Sequence, residues 1–294
     1  MSERTTAWTE ICSRNVNQRS DRLTSSEHIS AQGGALRVAV LGKGAIGAPV
    51  REALASGRIR GARLTAVVDR AGATRPDGEA IEGDTWLDEA DLVVEAAGQP
   101  AVASLGPSVI AAGVDLLVLS IGALGDDDLH DRLGAGPGRL YLSTGAIGGL
   151  DVLRAVADAG TLQRASIETT KRPPTLLQGW MSETQRAELL DATGRVEVLR
   201  GSPQHIAGAF PASANVAMAV AAAAGSPSLV EAAVFADPVC TMTTHDITVE
   251  STTGTYRFRI ANHPSPENPA TSGLVPLSVL RAIRDLAGRK ETVL

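Results

Sequence analysis

The sequence predicts a two-part α/β chain: a first domain on a parallel sheet covered by helices, then an α+β domain with a mostly antiparallel sheet. Three observations carry that reading. Short, nearly all-apolar runs alternate with helical stretches between Leu36 and Ser143, as in strands buried on both faces and joined by right-handed βαβ crossovers. After Asp151 the runs alternate polar and apolar residues, the mark of a sheet with one packed and one wet face. Where the first apolar run ends, a G-x-G-x-x-G turn (Gly42-Lys43-Gly44-Ala45-Ile46-Gly47) leads into a helical stretch.

Residues 1–34 are polar, balanced in charge and without sustained apolar period, and read as a flexible N-terminal extension. Strands are expected at Leu36–Leu41, Leu64–Val68, Leu92–Ala96, Leu116–Ser120 and Leu140–Ser143, with helices at Pro49–Ser56, Ala101–Ala112 and Asp126–Leu133. A helix over Asp151–Ala159 opens the second part. Its strands are expected at Ala165–Thr170, Val196–Arg200, Ser228–Phe235, Thr244–Val249 and Tyr256–Ile260, the last two joined by a hairpin turn at Thr252-Thr253-Gly254. An Ala-rich helix, Ala212–Ala224, is ended by Gly225 and Pro227. After the Pro-rich stretch 264–269, a helix over Leu274–Leu286 is expected to return to the first domain. The domains are therefore placed at 35–146 with 273–294, and at 147–272.

Composition narrows the function classes. A chain of 294 residues with 44% hydrophobic content has a sizeable core available. The net charge of −6, without a run of Lys or Arg, gives no footprint for nucleic acid or an anionic membrane. Aromatic residues, at 3%, are too few for base-stacking platforms. No segment approaches the roughly 18 apolar residues of a membrane span, and the start lacks a signal-peptide pattern, so a cytoplasmic enzyme is expected. Cys12 and Cys240 cannot make a disulfide framework and have no metal-ligand spacing, so no metal is expected.

The glycine turn supplies the first chemistry. Gly42, Gly44 and Gly47 permit a tight turn, close backbone approach to a pyrophosphate and close helix–strand packing. The helix start around Ala45 and Ile46 offers free N–H donors to the anion. This is the Rossmann-type arrangement. Asp69 ends the second strand where an acid holds the adenosine ribose of NAD, and the adjacent Arg70 can meet the 2′-phosphate of NADP, so tolerance of both is predicted. Small residues at later strand ends, Ala96 and Ala97 and then Ser120 and Gly122, would let the cofactor lie across the carboxyl edge of the sheet.

Substrate groups must come mostly from the second half. His245, opening a strand, can exchange a proton near physiological pH if its pKa is near the ordinary value; an ordinary strand-end histidine is the other reading. His28 and His130 lie in polar surroundings, while His205, in a loop beside Pro203, and His263, before Pro264, read as solvated. Lys171 and Arg172, held against Pro173-Pro174, can bind a carboxylate or simply be solvated. Asn215 at the Ala-rich helix start can meet a ligand or serve the helix end. Asn268, Thr271 and Ser272 precede the last helix, where free N–H groups can hold an anion and Thr271 or Ser272 can act as N-cap.

Together these segments resemble the L-aspartate dehydrogenase family. The resemblance spans about residues 36 to 287 and rests on their joint order: the Gly42–Gly47 turn, Asp69-Arg70, Glu95-Ala96-Ala97, Ser143 to Asp151, Lys171 to Pro174, Phe210-Pro211-Ala212, the H-x-I-x-V run from His245, and Pro264 to Pro269 with Thr271-Ser272. It implies NAD(P)-dependent interconversion of L-aspartate with oxaloacetate and ammonia through iminoaspartate, by hydride transfer at the α-carbon, usually in a homodimer. Its histidine falls on His245. Three positions depart: Thr243 and Ser213 stand where the family commonly has Asn, and Ala270 where it has Lys. All lie in segments expected near the substrate, a pattern that an enzyme for another amino or imino acid would show. A catalytically silent NAD(P)-binding regulator is the alternative of a different class.

Overall fold

A computed structural model describes residues 34–211, 214–263, 265 and 271–288. The N-terminal extension apart from Gly34, together with Ala212, Ser213, Asn268 and Ala270, lies outside the described residues.

The first part runs β1 (Leu36–Leu41), α1 (Gly47–Ala55), β2 (Ala62–Asp69), β3 (Gly72–Thr74), β4 (Ala80–Ile81), β5 (Leu92–Glu95), α2 (Gln99–Ala111), β6 (Asp115–Val118), α3 (Asp127–Gly134) and β7 (Leu140–Leu142). Its seven strands lie in the order β4-β3-β2-β1-β5-β6-β7. The five long-range partners β2, β1, β5, β6 and β7 pair in parallel, and β3 and β4 fold back antiparallel at one edge. That edge hairpin is absent from the sequence expectation, because runs of two or three residues carry no readable period.

The apolar runs are buried on both faces, as their composition requires. Val38 and Val40 of β1 face one way, into a core with Val50 and Leu54 of α1. Ala39 and Leu41 face the other way, into a core with Val102 and Val109 of α2. Period-two alternation of direction explains why no polar residue is tolerated across Val38–Leu41.

The second part runs α4 (Leu150–Asp158), β8 (Leu162–Lys171), α5 (Glu183–Leu190), β9 (Val196–Gly201), α6 (Pro203–Ala209), α7 (Ala214–Ala224), β10 (Val230–Ala236), β11 (Thr243–Ser251) and β12 (Gly254–Asn262). Its sheet has the order β12-β11-β8-β10-β9. Three of its pairings are antiparallel; β8 and β10 alone pair in parallel. One face packs on α4 and α7, through Ile167, Val249, Leu153 and Val220. The other carries ion pairs such as Arg195–Glu168 and Arg200–Glu231.

Helices α5 and α6 are absent from the sequence expectation, and His205 sits in α6 rather than in a loop. Ser202 caps α6 by accepting from the His205 N–H at 3.1 Å, with Pro203 at the first helical position. The last helix, α8 (Leu274–Leu286), lays Val279, Leu280 and Ile283 into the α1 side of the first core.

Candidate active site

The glycine turn is shaped by two contacts and one open space. Gly42 has φ of 107°, and a Cβ there would stand 2.5 Å from the Ala96 carbonyl oxygen. A Cβ on Gly47 would stand 2.4 Å from the Gly42 carbonyl oxygen. These two glycines let β1, α1 and the end of β5 meet. Gly44 differs, for a Cβ there would touch nothing within 4 Å, so its bare backbone is open to an approaching ligand. No side chain caps α1, and no acid lies in its first turn. Donors at a helix start with no carboxylate competing for them fit a dinucleotide pyrophosphate.

Beyond the turn, Glu95 ends β5 fully buried. Its carboxylate accepts from the N–H groups of Ala97 at 2.8 Å, Gly98 at 2.7 Å, Leu119 at 3.2 Å and Ser120 at 2.9 Å, and from the Ser120 hydroxyl at 2.9 Å. Five donors offset the cost of burying this charge. In doing so they tie the loop after β5 to the loop after β6, and Ala96, Gly98, Leu119 and Ser120 line the cleft that follows.

That cleft, of about 430 Å³, lies between the carboxyl edge of the parallel sheet and the second sheet. Gly44, Ala45 and Ile46 form one end. The linker Ser143 to Ala146 forms the floor, held where Asn262 Nδ2 donates to the Ala146 carbonyl at 2.9 Å and Ser278 Oγ to the Gly145 carbonyl at 2.7 Å. Asn215 joins the halves by accepting the Gly122 N–H at 2.9 Å while facing the cleft.

His245, on β11 and 4% exposed, lines the same cleft. The antiparallel register sets it against Thr169 of β8, and Thr169 Oγ1 stands 3.0 Å from its Nδ1. That contact engages Nδ1, and Nε2 is the ring nitrogen it does not occupy. Burial, and then the positive charge of Lys171, push the His245 pKa down to about 4, well away from the ordinary value expected from sequence. The imidazole is therefore neutral at physiological pH. Lys171, last in β8, lines the same cleft, and burial lowers its pKa too.

Comparison with known proteins bears on this geometry. The family described as "Aspartate dehydrogenase, C-terminal" matches residues 151–286, and "Homoserine dehydrogenase, NAD binding domain" matches 42–136. The L-aspartate dehydrogenase of Ruegeria pomeroyi is 37% identical over 86% of this chain and 93% of its own length. The chain belongs to the L-aspartate dehydrogenase family. The Methanocaldococcus jannaschii member is 34% identical over 86% of this chain and 97% of its own. The crystal structure of the Thermotoga maritima aspartate dehydrogenase superposes with a TM-score of 0.68 at 26% identity, over 88% of this chain and 98% of that one.

Within this family fold, many of the sequence candidates converge. Gly44, Ala45, Ile46, Ala96, Ser120, Lys171, Asn215, His245, Thr271 and Ser272 all line the cleft. Gly42 and Gly47 support the turn from behind, Ala97 donates to Glu95, and Gly122 donates to Asn215. Arg172 does not join Lys171: it is exposed, and its carbonyl caps the turn at Pro173 by accepting from Thr175. Asp69 and Arg70 stand apart from the cleft at the end of β2, where Asp69 pairs with Lys43 at 2.7 Å. Asn268 falls outside the described residues.

Two residues of the site, one at the cleft and one behind it, go beyond the sequence candidates. His263, read as solvated, is exposed yet lines the cleft rim. Glu95 was noted only as part of a segment; a charged residue closing an otherwise apolar strand was the available signal. Of the departing positions, Thr243 lines the cleft directly, paired with Asn262 across β11 and β12. Among the described residues no group of His, Cys, Asp or Glu is placed to hold a metal ion, and no helix is long and apolar enough to cross a membrane.

Proposed function

We propose that this chain oxidises L-aspartate with NAD or NADP, interconverting it with oxaloacetate and ammonia. The observation that carries the reading is the placement of a neutral, hydrogen-bonded His245 and a half-buried Lys171 in one cleft with an open, uncapped glycine turn. When bound, the nicotinamide supplies the two-electron redox chemistry at the substrate α-carbon. Gly44, Ala45 and Ile46 would hold its pyrophosphate, and the loops tied by Glu95 would carry its nicotinamide end.

The remaining work belongs to the chain. Lys171 holds a substrate carboxylate, with the Thr271 and Ser272 backbone at the start of α8 as a second anion contact. That carboxylate offsets the Lys171 charge, removing one of the two causes that keep His245 a weak base. With Nδ1 donating to Thr169, Nε2 takes the proton of the water attacking the imine carbon, and returns it when ammonia adds. The first domain, 35–146 with 273–294, serves the cofactor, and 147–272 the substrate. The homodimer and the cytoplasmic setting implied by the resemblance accompany this reading, and sedimentation tests the first.

Thr243 favours one second reading. A hydroxyl replaces the family's usual amide inside the cleft, which suits a different amino or imino acid. Oxaloacetate, ammonia and NADH or NADPH are mixed with the protein and absorbance loss is followed, then repeated across a panel of keto acids. Fastest turnover of oxaloacetate, lowered about a hundredfold or more in His245→Ala, is expected. Preference for another keto acid selects the second reading. Cofactor binding with no turnover of any keto acid would leave a silent regulator.

A further inference from the structure

We propose that Lys43 sets the cofactor choice of this site, cancelling the acid at the end of β2 so that the 2′-phosphate of NADP is accepted. The inference rests on the reading of Gly42–Gly47 as a dinucleotide turn and goes beyond it by naming the selectivity residue. In sheets of this type an acid at the end of the second strand takes the ribose 2′-hydroxyl, and its charge opposes a 2′-phosphate. Asp69 occupies that place.

It is not an unencumbered acid. Asp69 Oδ2 stands 2.7 Å from Lys43 Nζ, and Oδ1 accepts the Ala71 N–H at 2.8 Å. Both oxygens are engaged by the protein, and the pairing with Lys43 holds the carboxyl below its ordinary range. The Lys43 side chain keeps 45% of its surface exposed and Asp69 only 27%, so the ammonium is the more approachable of the two. An ammonium has three donors, and one carboxylate oxygen leaves others for a phosphate. Arg70, next along the chain, is exposed. An anion arriving here meets two cations and one carboxylate already paired. Lys43 also projects from the turn itself, between Gly42 and Gly44, so its position is tied to the pyrophosphate site rather than to the mobile tip of a loop.

The opposing account is that Lys43 merely steadies Asp69 for the 2′-hydroxyl. The two accounts differ in which cofactor suffers. Dissociation constants for NADH and NADPH are measured by nicotinamide fluorescence, without substrate, for the unaltered protein, Lys43→Ala, Lys43→Arg and Lys43→Ala in an Asp69→Asn background. Lys43→Ala is expected to weaken NADPH about tenfold or more while leaving NADH unchanged or tighter. Lys43→Arg should preserve NADPH binding. In the Asp69→Asn background the loss should be smaller, because there is no acid to unmask. The NADPH arm alone should weaken steeply with added salt. Equal weakening of both cofactors by Lys43→Ala, or an unchanged ratio, overturns the assignment while leaving the dinucleotide site standing. If the unaltered protein binds neither NADH nor NADPH, the site and the assignment fall together.

Discussion

Replacing His245 by Asn removes one proton-binding step from the unfolding equilibrium, and its size follows from the structure. In the fold, burial and the Lys171 charge bring the imidazole from 6.5 to about 4. Unfolded, it regains the ordinary value. Between those limits the unfolded chain binds a proton that the folded chain refuses, so stability is full above 6.5 and is lost as the pH falls toward 4. At about 1.4 kcal/mol per pH unit, the whole window is worth about 3 kcal/mol, of which about 2 kcal/mol is lost by about pH 5. At 4% exposure, water does little to screen it. His130, also lowered by burial, titrates in the same direction but is common to both proteins. The low carboxylates Asp69, Glu89, Asp91 and Glu197 matter only nearer their ordinary values, around pH 4. Urea denaturation of both proteins at closely spaced pH values isolates the effect. The unaltered protein should lose about 2 kcal/mol more than His245→Asn between about pH 8 and about pH 5. Parallel stability curves would refute the buried neutral imidazole.

Two further substitutions test the frame around the cleft. Glu95→Gln puts an amide nitrogen among five donors, and should cost about 2–4 kcal/mol in denaturation while weakening NADH binding in fluorescence titration; unchanged stability would show that the carboxylate is not the tie between the loops. The turn glycines should separate by assay. Gly42→Ala should lower the melting temperature, since a Cβ meets the Ala96 carbonyl, whereas Gly44→Val should leave melting nearly unchanged and weaken the dinucleotide about tenfold or more.

What the sequence could carry was local. The apolar runs Leu36–Leu41 and Leu92–Ala96, the glycine turn and the alternation through His245 are local patterns, and each appears in the fold where its period places it, the second run ending one residue early at Glu95. The starts of α5 and α6 were also legible: Ser182 and Gln185 form a reciprocal capping box, and Ser202-Pro203 is a helix-start pair. What lay beyond reach was made by distant residues. Glu95 acquires its role from donors 24 and 25 residues on, brought beside it by the β5–β6 pairing. Asn215 meets Gly122 across 93 residues. The His245 pKa depends on burial under elements far along the chain. Lys171 and Arg172 are adjacent in sequence, yet only Lys171 faces the cleft, a distinction that the strand's end and the turn at Pro173 decide.

The return of α8 has a consequence for how the molecule is made. Thr271, Ser272 and Val275 supply part of the cleft wall, and Ser278 holds the floor at Gly145. Chains emerge from the ribosome N-terminus first, and domains begin to fold as they emerge. Strands β1 to β7 can condense early, but a nascent chain still holding residues 271–278 in the exit tunnel has a cleft open along one side. Cofactor and substrate thus meet a finished pocket only once residues 271–278 have left the tunnel and α8 has docked.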